Sequence, residues 1–195
     1  FSNGRPDFLN HLTQIYAAGH SLTLNHLWNG AAPFIKLLLD TRRAYKDAMI
    51  YGEQAYQPNT GTMWVAAYMY RGTVNKVMTI VSLAADVMSV NIQLEAAESN
   101  TQWTDVLTGE LFFAINQSMT VSMPSALSET YGLRILVENP VADPGFELQA
   151  TSTVSSPWAS AGMCGIDRNL GWQLYGLNNA WIIPQPGDNR IYQDI

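Results

Sequence analysis

Cysteine is nearly missing from this sequence of 195 residues: Cys164 stands alone. An intrachain disulfide and a thiolate metal cluster are therefore both excluded. Charge is scarce as well, at 13% of residues, about half the ~25% of an ordinary soluble domain. Basic charge is scarcest, with ten Lys and Arg against sixteen Asp and Glu and a net charge of -6. Those ten are scattered, which excludes a nucleic-acid partner, because a phosphate backbone needs clustered cations. No apolar run reaches the ~18 residues of a membrane span, so no membrane partner is expected. No signal-peptide pattern is visible, and the first residue is Phe1 rather than Met.

What is present is apolar and uncharged-polar. Hydrophobic residues make up 47% of the chain, enough for a substantial core. The abundance of Thr, Ser, Asn and Gln over charge suits a secreted, extracellular β-rich protein. Both ends read as cut: the last residues, Tyr192-Gln193-Asp194-Ile195, look like the middle of a strand. The expectation is a piece of a longer protein.

Periodicity divides the chain in three. Residues 1–55 read as helix–strand–helix. Phe8 to Ala18 is a short amphipathic helix ending at Gly19, and Ser21 to Trp28 alternates as a strand does. From Pro33, a first-turn residue, the positions Phe34, Leu37, Leu38, Thr41, Ala44, Tyr45, Ala48 and Met49 fall on one helical stripe, which Gly52 ends. Residues 56–138 switch to a period of two. Seven strands are expected: Thr62 to Tyr70, Lys76 to Leu83, Val87 to Glu95, Thr104 to Leu107, Leu111 to Ile115, Met119 to Met123 and Gly132 to Val137. Seven short strands with regular turns predict an antiparallel β-sandwich. Residues 139–195 are rich in Gly, Ser, Asn and Trp, and are too short for a sandwich module of about 100 residues.

Several stretches carry a resemblance. Trp103-Thr104-Asp105-Val106-Leu107-Thr108-Gly109-Glu110, then Ser118 to Met123, then Gly132-Leu133-Arg134-Ile135-Leu136 resemble the C-terminal β-sandwich of (β/α)8-barrel glycoside hydrolases. Trp64 to Gly72 and Val77 to Leu83 are similar to its first strands. Arg42-Arg43-Ala44-Tyr45-Lys46-Asp47 and Tyr51-Gly52-Glu53 resemble the last barrel helix and its exit. Asp143-Pro144-Gly145-Phe146-Glu147, Ser156-Pro157-Trp158 and Ile191-Tyr192-Gln193-Asp194-Ile195 resemble the opening half of a jelly-roll carbohydrate-binding module, with Asp143 where that family has Asn. The implied fold is α+β, mainly β: a short α/β barrel remnant, an antiparallel β-sandwich and an incomplete jelly roll. The implied function is a non-catalytic accessory region of a secreted glycoside hydrolase, supporting the barrel and aiding polysaccharide binding and degradation. A structural or adhesion protein of stacked β modules and a small stand-alone lectin are the alternatives. A half module would leave strand edges bare, and those predict self-association.

Catalysis would need two carboxylates across one sugar cleft. Asp7, Asp40, Asp47, Asp105 and Glu110 read instead as caps, turns and solvated positions, so no catalytic residue is assigned. His11, His20 and His26 stand nine and six positions apart, matching no common zinc pattern. The candidates for carbohydrate contact are aromatic faces and their amide neighbours: Trp172, Tyr175, Trp158, Asn178 and Asn179, with His26 and Trp28 at the end of the expected barrel strand. Trp181 opens an apolar Trp-Ile-Ile run and reads as core. Glu147 and Asp167 are the candidate oxygen ligands of a structural calcium, the one metal considered; no other cofactor is expected.

Overall fold

The computed structural model describes residues 5–20, 32–99, 101–140, 146, 149–168, 178–183 and 186–193. The protein is mainly β, with antiparallel sheets and few helices. The chain forms two compact units, one of Phe1–Ser99 and Trp103–Glu138, the other of Asn100–Gln102 and Asn139–Ile195. The expected strand at Ser21 to Trp28 lies outside the described residues.

In the first unit a six-stranded sheet is built from β1 (Glu53–Tyr56), β2 (Val65–Arg71), β3 (Lys76–Ser82), β5 (Gln102–Asp105), β6 (Leu111–Phe113) and β8 (Leu133–Glu138), in the order β1-β2-β3-β8-β5-β6. A two-stranded ribbon of β4 (Met88–Gln93) and β7 (Ser118–Met123) packs over one face. On the other face lie α1 (Arg5–Ala17), α2 (Ala32–Ala44) and the one-turn α3 (Lys46–Met49).

Each strand's composition follows from what covers it. β4 and β7 bury alternate residues, Val90 and Ile92 against Met119, Val121 and Met123, and give the other face to water. In β3, Val77 to Ser82 are all buried, because the strand has helices on one side and the ribbon on the other. Met78 and Ile80 join Trp103, Phe112 and Leu136 in the core under the ribbon. Val77 and Val81 join Leu9, Leu12, Tyr16, Ile35, Leu38, Leu133 and Ile135 in the core under the helices.

All seven expected strands form, with ends shifted by a few residues. The short edge strand β1 was not expected. Its sequence, Glu-Gln-Ala-Tyr, has no apolar alternation, and its pairing with β2 is interrupted by a bulge between Gln54 and Tyr56. The long helix from Pro33 to Met49 is in fact two, divided at Tyr45. Within α2, Ile35, Leu38 and Thr41 face the core while Leu37 and Ala44 are exposed.

Among its described residues the second unit holds two antiparallel pairs, β9 (Ala159–Ala161) with β12 (Arg190–Tyr192), and β10 (Cys164–Arg168) with β11 (Asn178–Ile182).

Candidate functional site

The motif residues of 103–110 and 132–136 converge, and what they build is a buried ionic joint. Asp105 closes β5 and is 0% exposed. Its Oδ1 accepts from the Leu107 backbone N–H at 3.0 Å, and its Oδ2 from the Thr108 hydroxyl at 2.9 Å. These bonds shape the turn that Gly109 completes at φ 76°, a left-handed conformation that glycine adopts without strain. Arg134 on β8 then reaches in three directions. Nη1 lies 2.8 Å from Asp105, Nη2 lies 2.7 Å from Glu110, and Nε donates to the Ser122 carbonyl of β7 at 2.6 Å. Its guanidinium also lies 4.9 Å from the centre of the Phe112 ring. One planar cation thereby links the sheet, the ribbon and the β5–β6 turn, which a lysine's single ammonium could not do. Gly132, two residues before Arg134, is at φ 75°, and a Cβ there would collide with the Ser82 carbonyl.

A second cluster was not visible in the sequence. Glu98, in a single helical turn after β4, is 0% exposed. Arg71 of β2 reaches its Oε1 at 2.8 Å, and Lys76 of β3 lies 3.7 Å away. Arg71 also holds Glu95 at 2.9 Å, and Lys76 holds Glu138 of β8 at 3.0 Å. The Tyr56 hydroxyl donates to Glu98 at 3.1 Å. Burial pushes that phenol up to about 12, and burial likewise raises the Glu138 carboxyl above its ordinary value despite Lys76. Arg71 reads in sequence as part of a break between strands, and nothing local links it to a Glu 27 positions later.

Among the described residues the buried acidic side chains are Asp105 and Glu98, and both are held by cations that bind structural elements together. Asp47 bonds the backbone N–H groups of Val74 and Asn75 and the Asn75 amide, closing the β2–β3 turn. Asp40 pairs with Lys36 on the exposed side of α2.

Of the expected carbohydrate contacts, Trp172, Tyr175, His26 and Trp28 lie outside the described residues, as does Glu147. Trp158 is half-buried and stacks on Phe146, ring centroids 4.7 Å apart and planes inclined by 28°. Asn178 is buried, and its amide donates to the Phe146 carbonyl at 2.7 Å, bracing the interior of the second unit. Asn179 and Asp167 are register partners on β11 and β10. So are Trp181 and Gly165, one pair further along on the same face. Ile166 and Asn178, on the opposite face, are buried, while Asp167, Asn179 and Trp181 are half-buried. Trp181, expected in the core, is half-buried with its indole over Gly165. Its strand alternates, so the apolar Trp-Ile-Ile run is split between faces, with Ile182 exposed.

No family model matches this sequence. No curated protein matches it either. Solved structures do resemble it. The α-amylase of Geobacillus thermoleovorans, in complex with acarbose, superposes with a TM-score of 0.54 at 8% identity, over 70% of this chain and 34% of that one. An Anoxybacillus α-amylase gives 0.52 at 10% identity, over 72% and 34%. A maltogenic α-amylase of Thermotoga neapolitana gives 0.50 at 11% identity, over 68% and 36%. The chain thus spans about a third of the length of these three enzymes. The likeness is one of fold, and the neighbours are glycoside hydrolases.

Proposed function

We propose that this chain is the non-catalytic accessory region of a secreted glycoside hydrolase. Its first unit supports a catalytic barrel, and residues 139–195 contribute contacts to a polysaccharide. The observation that carries this reading is the fold likeness to α-amylases over about 70% of this chain and only about a third of theirs. The chemistry of the carboxylates agrees with it. Asp105 and Glu98 sit under guanidinium and ammonium groups, where each serves as an anchor rather than as a proton donor or nucleophile. Trp158, Asn179, Trp172 and Tyr175 are the aromatic and amide residues assigned to sugar contact, and Asp167 with Glu147 to a calcium ion.

Two measurements test it. The chain is incubated with aryl glycosides and soluble starch, and run through native gels cast with starch, xylan or galactan. Retarded migration without turnover is the expected result. Turnover that a single Asp or Glu substitution abolishes would overturn the accessory role. Unretarded migration in all three gels would overturn the polysaccharide-binding role.

A further inference from the structure

We propose that Asn116 is an acceptor for an N-linked glycan. The proposal rests on the reading of the chain as secreted and adds a covalent modification to it.

The sequence carries one acceptor pattern. Of its fourteen asparagines, Asn116 alone is followed two positions later by Ser or Thr, in Asn116-Gln117-Ser118. Asn-Xaa-Ser, with Xaa other than Pro, is the pattern that a glycan transferase reads. A bulky sugar is tolerated only where the fold leaves room for it at the surface.

The fold supplies that room. Ile115 and Ser118 exchange both backbone hydrogen bonds, at 2.8 and 2.9 Å, and leave Asn116 and Gln117 as the two-residue tip of the hairpin that joins β6 to β7. Asn116 is at φ 49° and Gln117 at φ 68°. Two successive positive φ values belong to a primed turn, in which Asn is favoured at the first position. Both residues are exposed, and Ile115 beside them is 63% exposed. A glycan on Asn116 leaves from the end of the hairpin, and its first sugar can shield Ile115 from water.

The same fold sets the order of events. Ser118 opens β7 opposite Gln93 of β4. Its hydroxyl donates to Asn91 Oδ1 at 2.6 Å, and its backbone N–H and C=O are both bonded to Ile115. The Gln117 carbonyl accepts from the Leu94 N–H at 2.8 Å. Once the ribbon has formed, the Ser118 hydroxyl and the backbone around it are engaged. A transferase that reads them must act first, on the emerging chain, before β7 pairs with β4.

The step balances without a redox partner. The donor is an oligosaccharide joined through diphosphate to a polyprenyl lipid. Asn116 Nδ2 bonds to the sugar C1, and the C1–O bond to the diphosphate breaks. The amide gives up one proton, and the lipid diphosphate leaves with the bonding pair.

The test translates the whole chain behind a cleavable signal peptide in the presence of rough microsomes. The expected product carries one glycan that an endoglycosidase removes and that peptide mapping places on Asn116. Asn116→Gln and Ser118→Ala should each abolish it. Folded chain, purified from a bacterial host and mixed with detergent-opened microsomes, should take up none. The glycosylated chain should fold, with the circular dichroism spectrum of the bare chain. Absence of glycan from both the natural chain and Ser118→Thr, after entry shown by protease protection, would overturn the site and leave the secreted reading standing. Equal modification of the folded chain would overturn the order of events. A glycosylated chain that does not fold would show that the hairpin tip cannot carry the sugar. A chain that fails to enter the microsomes would overturn the secreted reading and the site with it.

Discussion

Arg134 Nη1 lies 2.8 Å from Asp105 Oδ2, with the arginine side chain 8% exposed and the aspartate 0%. Removing one partner of such a pair leaves the other charge buried and uncompensated, at a cost of about 3–5 kcal/mol. Asp105→Ala is therefore expected to destabilise the first unit by that amount in urea unfolding. Arg134→Lys should recover only part of the stability, because an ammonium cannot serve Asp105, Glu110 and the Ser122 carbonyl together. Full stability in Arg134→Lys would show that the joint is a simple charge pair.

Glu138 gives the opposite expectation. Burial raises its carboxyl above the ordinary value, and the hydrogen bond from Lys76 does not bring it back. A carboxyl whose folded pKa exceeds its unfolded one weakens the fold as pH rises from the lower value through the higher. Glu138→Gln should then hold or raise the melting temperature at pH 7, although it deletes an ion pair. A fall of several degrees would show the pair to be worth more than its burial costs.

Asp47 sets an acid limit. The Asn75 side-chain amide, at 2.7 Å, lowers its carboxyl pKa, and the Asn75 and Val74 backbone N–H groups add to the effect. The folded value lies below the unfolded one, near ~3.9. The stabilisation is therefore complete above the unfolded value and is lost as pH falls through the folded one. Asp47→Ala should cost about 1–2 kcal/mol at pH 7 and flatten the fall in melting temperature between pH 5 and about pH 3. An unchanged acid slope would place the acid-sensitive group elsewhere.

Tyr70 sets the alkaline limit. Its hydroxyl donates to the Ala17 carbonyl at 2.6 Å, and the Thr79 hydroxyl donates to the same oxygen at 2.7 Å. Burial pushes the Tyr70 phenol up to about 12. Its stabilisation is complete below the unfolded value of about 10 and disappears as pH rises through the folded one. Tyr70→Phe should cost about 1 kcal/mol at pH 7 and reduce the loss of stability between pH 10 and pH 12. Tyrosinate absorbance followed during alkaline titration reads both effects.

The sequence by itself determined the class of the fold and most of its strands. Alternation in β4 and β7, and the unbroken apolar run of β3, already encode one covered face or two. Trp103, Asp105, Gly109, Glu110, Gly132 and Arg134 stand in the sequence only as motif positions of a resemblance, and Asp105 reads there as a solvated turn residue. Only the tertiary structure decided the rest. Burying Asp105 requires Arg134 from a strand 29 positions away, and burying Glu98 requires Arg71 and Lys76 from two further strands. The tertiary fold also decided that Tyr45 splits one helix into two, and that Trp181 shares a strand face with Asn179 and Asp167. The physical reason is range. Periodicity reports the side of an element that is apolar, a property of neighbours in sequence. Register, ion pairing and the direction of a face depend on distant strands meeting, and no local pattern records which ones will.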